Sequence, residues 1–289
     1  MNKISCVYLN GEFLAPEQAK ISAFDRGFIF GDGVYEVIPV FGGRPFRLAN
    51  HLSRLERSLS ALGIINPLPP EDWEAIFQRL ITGNGDADQS IYLQITRGVA
   101  ERDHSYPENV SPTVFAYAQI MRYPDAATIA KGVSAITLED IRWQRCDIKA
   151  VALLANVMMR QKAVESGSAE SILIRDGLLT EGAASNIFIV KDGRLQTPPR
   201  NAYILPGITR DLIVELAEAN GIQCLQIELT ESELMGADEV WMTSSTKEIL
   251  PVTQLNHKPV GSGIPGPMHA KLYAIYQDYK EAFRQGKVR

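Results

Sequence analysis

The chain has 289 residues, 45% of them hydrophobic and 22% charged, the make-up of a soluble globular protein long enough for two modest domains. A net charge of -5 supplies no bulk field for a nucleic acid or an anionic membrane, although it leaves room for a local basic pocket. Three cysteines, Cys6, Cys146 and Cys224, lie far apart without a CxxC pair, so neither a disulfide framework nor a zinc site is indicated and no metal is expected. The opening Met-Asn-Lys-Ile-Ser-Cys lacks the apolar core of a secretion signal. The most apolar run, Val151 to Met159, is broken by Asn156 and too short to span a bilayer, which makes the cytoplasm the expected address.

Taken in order, Ser5 to Leu9 and Glu12 to Leu14 flank Asn10-Gly11, a strong hairpin pair. Val34 to Phe41, rich in β-branched and aromatic residues, reads as a strand. His51 to Leu62 places Leu52, Leu55, Leu59 and Leu62 at helical spacing, and Glu71 to Ile81 does the same with Trp73, Ile76, Phe77 and Leu80. Strands follow at Ile91 to Arg97 and Thr113 to Ile120, around a polar loop over 98–112. Residues 121–130 read as a linker between a small α/β domain over 1–120 and a larger domain over 131–289. In the second half the predicted strands are Val133 to Leu138, Ser171 to Arg175, Asn186 to Val190, Cys224 to Leu229 and Glu239 to Thr243. The predicted helices are Ala152 to Ser166, Thr209 to Ala219 and Met268 to Phe283. Strands and helices do not alternate strictly, so the fold class is α/β with α+β character and mixed or antiparallel sheets. Gly31-Asp32-Gly33 lacks the third glycine of a dinucleotide fingerprint.

Three segments carry candidate chemistry. Lys149 is followed by Ala150, Val151, Ala152, Leu153, Leu154 and Ala155, surroundings that favour a neutral, nucleophilic amine of the kind that forms a Schiff base. The plainer reading is a lysine snorkelling at a helix start. Thr180-Glu181-Gly182-Ala183-Ala184-Ser185-Asn186 puts a carboxylate in a turn of small residues, which let another body approach the backbone; an ordinary solvated turn explains it equally. Leu205-Pro206-Gly207-Ile208-Thr209-Arg210-Asp211 opens a helix at a glycine, a natural phosphate seat, or a simple capping turn. A second hydroxyl cluster, Thr243-Ser244-Ser245-Thr246, ends a strand.

Together, in this order, these segments resemble the fold-type IV pyridoxal-phosphate enzymes, a group of D-amino-acid and branched-chain aminotransferases and aminodeoxychorismate lyases. The likeness runs from Asp25-Arg26-Gly27 to the Thr243 cluster and includes the two-domain order. It implies pyridoxal 5'-phosphate as cofactor, Lys149 as the lysine that carries it and shuttles the proton, and Glu181 as the carboxylate on the pyridine nitrogen. It further implies Arg54, Ile208, Thr209 and Ser245 around the phosphate, with Ser185, Leu205 and Ser244 in the same binding set, and a homodimer. Without it, Arg54 reads as a solvated residue beside the apolar stripe of its helix.

The loop Thr96 to Pro107 bears on substrate class. Arg102 and His104 resemble the α-carboxylate trap of D-amino-acid aminotransferases, and Tyr35 resembles the tyrosine that completes it. A guanidinium suits the task because it grips a carboxylate with two parallel bonds. The stretch Asp140 to Lys149 is also close to the D-amino-acid enzymes. Ala183 and Ala184 depart from the serines usual there, which bears on pocket polarity, and Leu154 stands where branched-chain enzymes carry a tyrosine. The implied reaction is transfer of an amino group from a D-amino acid to a 2-oxo acid in two half-reactions. Competing readings are a branched-chain or amine-specific aminotransferase, a lyase of the same fold and a non-catalytic carboxylate-binding module.

Overall fold

The structure, a computed structural model, describes residues 4–85 and 87–288, so the first three residues of the segment read for a secretion signal fall outside it. By its internal contacts the chain forms two units. One comprises Met1–Arg122, Ile148–Ala152 and Ala282–Arg289; the other comprises Tyr123–Asp147 and Leu153–Glu281. No helix among the described residues is long and apolar enough to cross a membrane.

In the first unit, β1 (Val7–Leu9) and β2 (Glu12–Leu14) form the expected hairpin. Asn10 and Gly11 have φ of 48° and 99°, the pair of positive angles that a two-residue turn of matching twist demands. A short helix, α1 (Arg26–Phe30), has no counterpart in the apolar periodicity; Asp25 caps it by accepting from the Gly27 N–H at 2.8 Å. Next come β3 (Gly33–Phe41), β4 (Arg44–Pro45), α2 (Leu48–Ala61), α3 (Pro70–Thr82), β5 (Gln89–Thr96) and β6 (Thr113–Ile120). The sheet runs β2-β1-β6-β5-β3-β4, antiparallel throughout.

Strand alternation sorts β3 into two faces. Val34, Glu36, Ile38 and Val40 are buried, and the three apolar ones join a core closed by Leu55 and Leu59 of α2 and Trp73, Phe77 and Leu80 of α3. On the other face Tyr35, Tyr92 and Tyr117 stack with ring centroids 5.8 and 5.3 Å apart. The β3 edge that takes β4 at one end takes residues 149–151 at the other. The Tyr35 N–H donates to the Lys149 carbonyl at 2.9 Å and the Val151 N–H to the Gly33 carbonyl at 3.0 Å. Lys149 is therefore held in a strand-like segment, not at a helix start.

The second unit begins inside the expected linker, where Asp125 caps α4 (Ala126–Lys131) through the Thr128 N–H at 2.7 Å. There follow β7 (Val133–Glu139), α5 (Leu154–Glu165), β8 (Glu170–Arg175), β9 (Leu178–Gly182), β10 (Asn186–Lys191), β11 (Arg194–Thr197), α6 (Ile208–Ala219), β12 (Cys224–Gln226), α7 (Glu231–Met235), β13 (Glu239–Ser244), β14 (Glu248–Leu255), β15 (Lys258–Pro259) and α8 (Pro267–Arg284). The sheet order is β12-β11-β10-β13-β14-β7-β8-β9, with β15 on β14. β12 pairs with β11, and β7 with both β14 and β8, in parallel; the other pairs are antiparallel, so the sheet is mixed as expected. Its core gathers Ile172, Ile187, Ile189, Met242, Val252 and Leu255.

Phe77 is fully buried and stacks on Trp73 at 6.0 Å. Phe77→Ala should lower stability by about 3–5 kcal/mol, because the transfer term and the residual cavity add. Chemical denaturation followed by circular dichroism checks this; an unshifted midpoint would show that the first unit does not depend on that contact.

Candidate active site

In the first unit a buried charge cluster lies under β3. One turn and two turns of α2 separate His51, Arg54 and Ser58, so all three share a face. Arg54 grips Glu36 with two parallel bonds, Nε to Oε1 at 2.8 Å and Nη2 to Oε2 at 2.7 Å, and His51 Nδ1 lies 2.7 Å from Oε2. Burial alone would raise the Glu36 carboxyl, but the Arg54 charge and these bonds hold it well below the usual carboxylate range. Burial also pushes the His51 imidazole below its ordinary value, against the pull of Glu36. Arg54 is thus a buried, paired arginine and not the solvated residue of the plainer reading. Ser58 Oγ accepts from the Lys149 N–H at 3.2 Å, tying the lysine segment to the same helix face. The Lys149 side chain is half-buried, with Nζ 4.1 Å from the centroid of the Tyr35 ring. Tyr35 and Lys149 are thereby brought together. Arg102 and His104 lie exposed on the loop between β5 and β6, both beside the Phe30 ring.

In the second unit the cluster centres on Glu181. The sequence suggests a turn of small residues here, whereas Glu181 sits near the end of β9. Its carboxylate is buried and accepts from Asn186 Nδ2 at 3.0 Å, from the Leu205 N–H at 3.0 Å and from Arg142 Nη1. Arg142 is itself clamped by Asp140, with Nε to Oδ1 at 2.9 Å and Nη2 to Oδ2 at 2.8 Å. Asp140 also meets Arg175 at 3.2 Å and accepts from Thr180 Oγ1 at 3.0 Å. Two carboxylates and two guanidiniums thus neutralise one another. Burial pushes the Glu181 carboxyl up to about 7, against the lowering by Arg142 and the backbone donor.

Asn186 links the remaining candidates. It donates to the Leu205 carbonyl at 2.9 Å, and its own carbonyl accepts from Thr243 Oγ1 at 3.4 Å. Gly207 precedes α6 without a side-chain cap, and a Cβ there would come within 2.0 Å of Asn186 Oδ1, so the close approach requires glycine. Ile208 and Thr209 follow, buried in the first turn. Ser185 Oγ donates to the buried Glu170 at 3.0 Å; Lys247 Nζ is 3.4 Å from the same carboxylate, and the Lys247 N–H donates to Ser244 Oγ at 3.2 Å. The structure therefore joins Glu181 to Leu205 through Asn186, and Ser185 to Ser244 through Glu170 and Lys247, while Ile208 and Thr209 follow Gly207 and Ser245 is half-buried in the turn after β13.

Residues 33–255 match the amino-transferase class IV family. The chain belongs to it. This aminotransferase is similar to a D-alanine aminotransferase of Bacillus licheniformis, with 41% identity over 94% of this chain and 96% of that one. Among solved structures it is similar to the branched-chain amino acid aminotransferase of Escherichia coli, at TM-score 0.89 and 28% identity over 96% of this chain and 94% of that chain. A branched-chain amino acid aminotransferase from T.th., solved with pyridoxamine 5'-phosphate, superposes at TM-score 0.89 and 26% identity, over 100% of this chain and 96% of that chain. The mixed two-sheet architecture of the aminotransferase is that of these fold-type IV enzymes.

Sequence reasoning missed Asp140, Arg142, Asn186 and Glu170, the groups that hold the candidate residues in place. One signal was present: Asp176-Gly177, at φ 52° and 79°, is a hairpin pair that marks β9 and so puts Glu181 on a strand. A pH dependence follows from Glu181. Folded Glu181 holds its proton more tightly than the unfolded chain does. Its contribution to stability is complete below the ordinary carboxylate range and is lost as pH rises through about 7. Thermal unfolding of wild type and Glu181→Gln across that window should show a smaller decline of Tm in the variant; parallel declines would contradict the assignment.

Proposed function

We propose that this aminotransferase moves the amino group of a D-amino acid with a small or acidic side chain, such as D-alanine or D-glutamate, to a 2-oxo acid, with pyridoxal 5'-phosphate bound through Lys149. The observation that carries the substrate class is the 41% identity to a D-alanine aminotransferase over nearly the whole of both chains, joined to Arg102 and His104 on one loop. The structural neighbours named for branched-chain substrates are less similar in sequence, at 28% and 26%.

The chemistry of the donor sets supports the cofactor. Glu181, a buried carboxylate with a raised pKa, suits a ring nitrogen whose positive charge it would balance. The start of α6, with no side-chain cap on its amides, suits a phosphate, as does Arg54. Ser185, Leu205, Ser244 and Ser245 complete the set. When bound, pyridoxal 5'-phosphate supplies an electron-withdrawing ring that eases loss of the proton from the amino acid's Cα.

The protein's own groups do the rest. The Lys149 amine would take the Cα proton and later return it, as base and then acid. Arg102, His104 and Tyr35 bind and orient the substrate carboxylate, so that one hydrogen of Cα faces the lysine. Residues 1–120 and 131–289, joined by 121–130, are proposed as the small and the cofactor-binding domains. Two copies of the chain are proposed to associate: Leu154, Val157, Met158 and Val164 leave an exposed apolar face along α5, which supports a homodimer. A cytoplasmic address is part of the same proposal.

Borohydride reduction of the purified protein should fix the cofactor on Lys149, as read by peptide mass; an adduct on another lysine overturns the assignment. With 2-oxoglutarate as acceptor, D-alanine should be turned over faster than L-leucine. Arg102→Leu should raise the KM for D-alanine by about tenfold or more, the cost of losing a charged hydrogen bond. Preference for L-leucine in the wild type would replace this reading with the branched-chain one.

A further inference from the structure

The proposed carboxylate trap sits on a loop, and a loop serves as a trap only if it is held. Residues 98–112 are anchored at their base. The Arg26 N–H donates to the Gly98 carbonyl at 2.8 Å, and the Ala100 N–H to that of Phe24 at 3.3 Å. Gly98, at φ +106°, could not carry a side chain, since a Cβ would come within 2.1 Å of the Ser111 carbonyl oxygen. Higher in the loop, Arg97 Cζ lies 3.7 Å over the Tyr106 ring.

At the trap itself the contacts narrow to one ring. The Phe30 centroid lies 5.5 Å from Arg102 Cζ and 5.5 Å from the His104 ring centroid, the two rings inclined at 44°. Arg26, one helical turn before Phe30 on α1, places its Cζ 4.7 Å from the same centroid. Its Nη1 donates at 2.6 Å to the carbonyl of Asp103, the residue between Arg102 and His104. Arg26 is in turn fixed by Asp32, Nε to Oδ2 at 2.8 Å, and Asp32 is gripped from its other side by Arg97 at 2.7 and 3.0 Å. Arg26 and Arg97 thus meet at one aspartate behind the loop, which fixes the guanidinium that holds Asp103.

We propose that Phe30 is a positioning residue for substrate specificity: its ring is the platform on which Arg102 and His104 are held in register, while Arg26 pins the Asp103 carbonyl between them. The inference rests on the reading of Arg102 and His104 as the carboxylate trap. The physical basis is the attraction of a guanidinium for an aromatic face, which restrains Arg102 without using the N–H groups that a carboxylate needs. A rigid pair of donors then binds a carboxylate without first losing the freedom of a long side chain. Phe30 is only half-buried, so its replacement removes the platform without emptying the core.

The test uses the cofactor-loaded enzyme and four variants: Phe30→Leu, Phe30→Met, Phe30→Tyr and Arg102→Leu. Phe30→Leu and Phe30→Met should raise the KM for D-alanine and the inhibition constant of propionate by about tenfold, with kcat changed less than about twofold. Phe30→Tyr, which keeps the ring, should behave as wild type. Trypsin cleavage after Arg102, a readout independent of turnover, should speed up in the Leu and Met variants alone. If Arg102→Leu leaves the KM for D-alanine unchanged, the carboxylate-trap reading is wrong and the platform has nothing to position. If Arg102→Leu raises that KM but Phe30→Leu and Phe30→Met do not, the trap stands and the role given to Phe30 is overturned. A fall in kcat with KM unchanged in the Phe30 variants overturns it as well.

Discussion

A carboxylate taken out of water must be met by donors or by positive charge, and in each unit a buried glutamate gathers candidate residues around it. In the first unit Glu36 holds Arg54 by two parallel bonds and His51 by a third, which fixes the inner face of α2 against β3. In the second, Glu181 gathers Arg142, Asn186 and the Leu205 N–H, and so ties together β9, β10 and the approach to α6. Removing one partner from such a cluster is costlier than deleting a surface pair, because the remaining charge stays buried.

The two clusters differ in electrostatic outcome. Glu36 is held ionised by a guanidinium in ideal geometry, whereas Glu181 shares Arg142 with Asp140 and carries a pKa raised by burial. A carboxylate met by both Arg54 and His51 is satisfied within its own cluster. One whose cation is already shared retains affinity for a further positive charge, and this is the property required opposite a protonated ring nitrogen. The arrangement distinguishes the two glutamates although both are buried acids on strands.

Lys149 depends on backbone pairing as much as on its neighbours' polarity. Residues 149–151 complete the edge of β3 that β4 leaves open, so the lysine side chain emerges beside Tyr35 with its main chain locked by bonds to Gly33, Tyr35 and Ser58. Amphipathic reasoning favours a lysine at a helix start, since Ala150 to Ala155 is apolar; α5 begins only at Leu154. The intervening residues lie on the first unit's sheet, a long-range pairing that no local pattern announces.

From residue order alone came the α/β class with mixed sheets, the main helices α2, α3, α6 and α8, the Asn10-Gly11 hairpin and the resemblance that singles out Lys149, Glu181 and Arg54. Each rests on a local or periodic signal: apolar residues three and four apart, a turn pair with positive φ, a short motif in a given order. Besides α1 and α4, the missed elements include β14, which lacks alternation because its first five residues are all buried, and β9 and β11, each short and introduced by an Asp-Gly pair. The strand expected over Cys224 to Leu229 stops at Gln226. Only the tertiary structure decided that Arg142 belongs to Glu181, that Asp140 clamps Arg142, that Glu170 lies under Ser185, and that Phe30 sits beneath Arg102 and His104. These partners are separated by 39, 2, 15 and about 70 positions in the chain. Even the nearest pair, Asp140 and Arg142, is distinguished from an ordinary surface ion pair only by its burial, which neighbouring strands supply and the residues themselves do not encode.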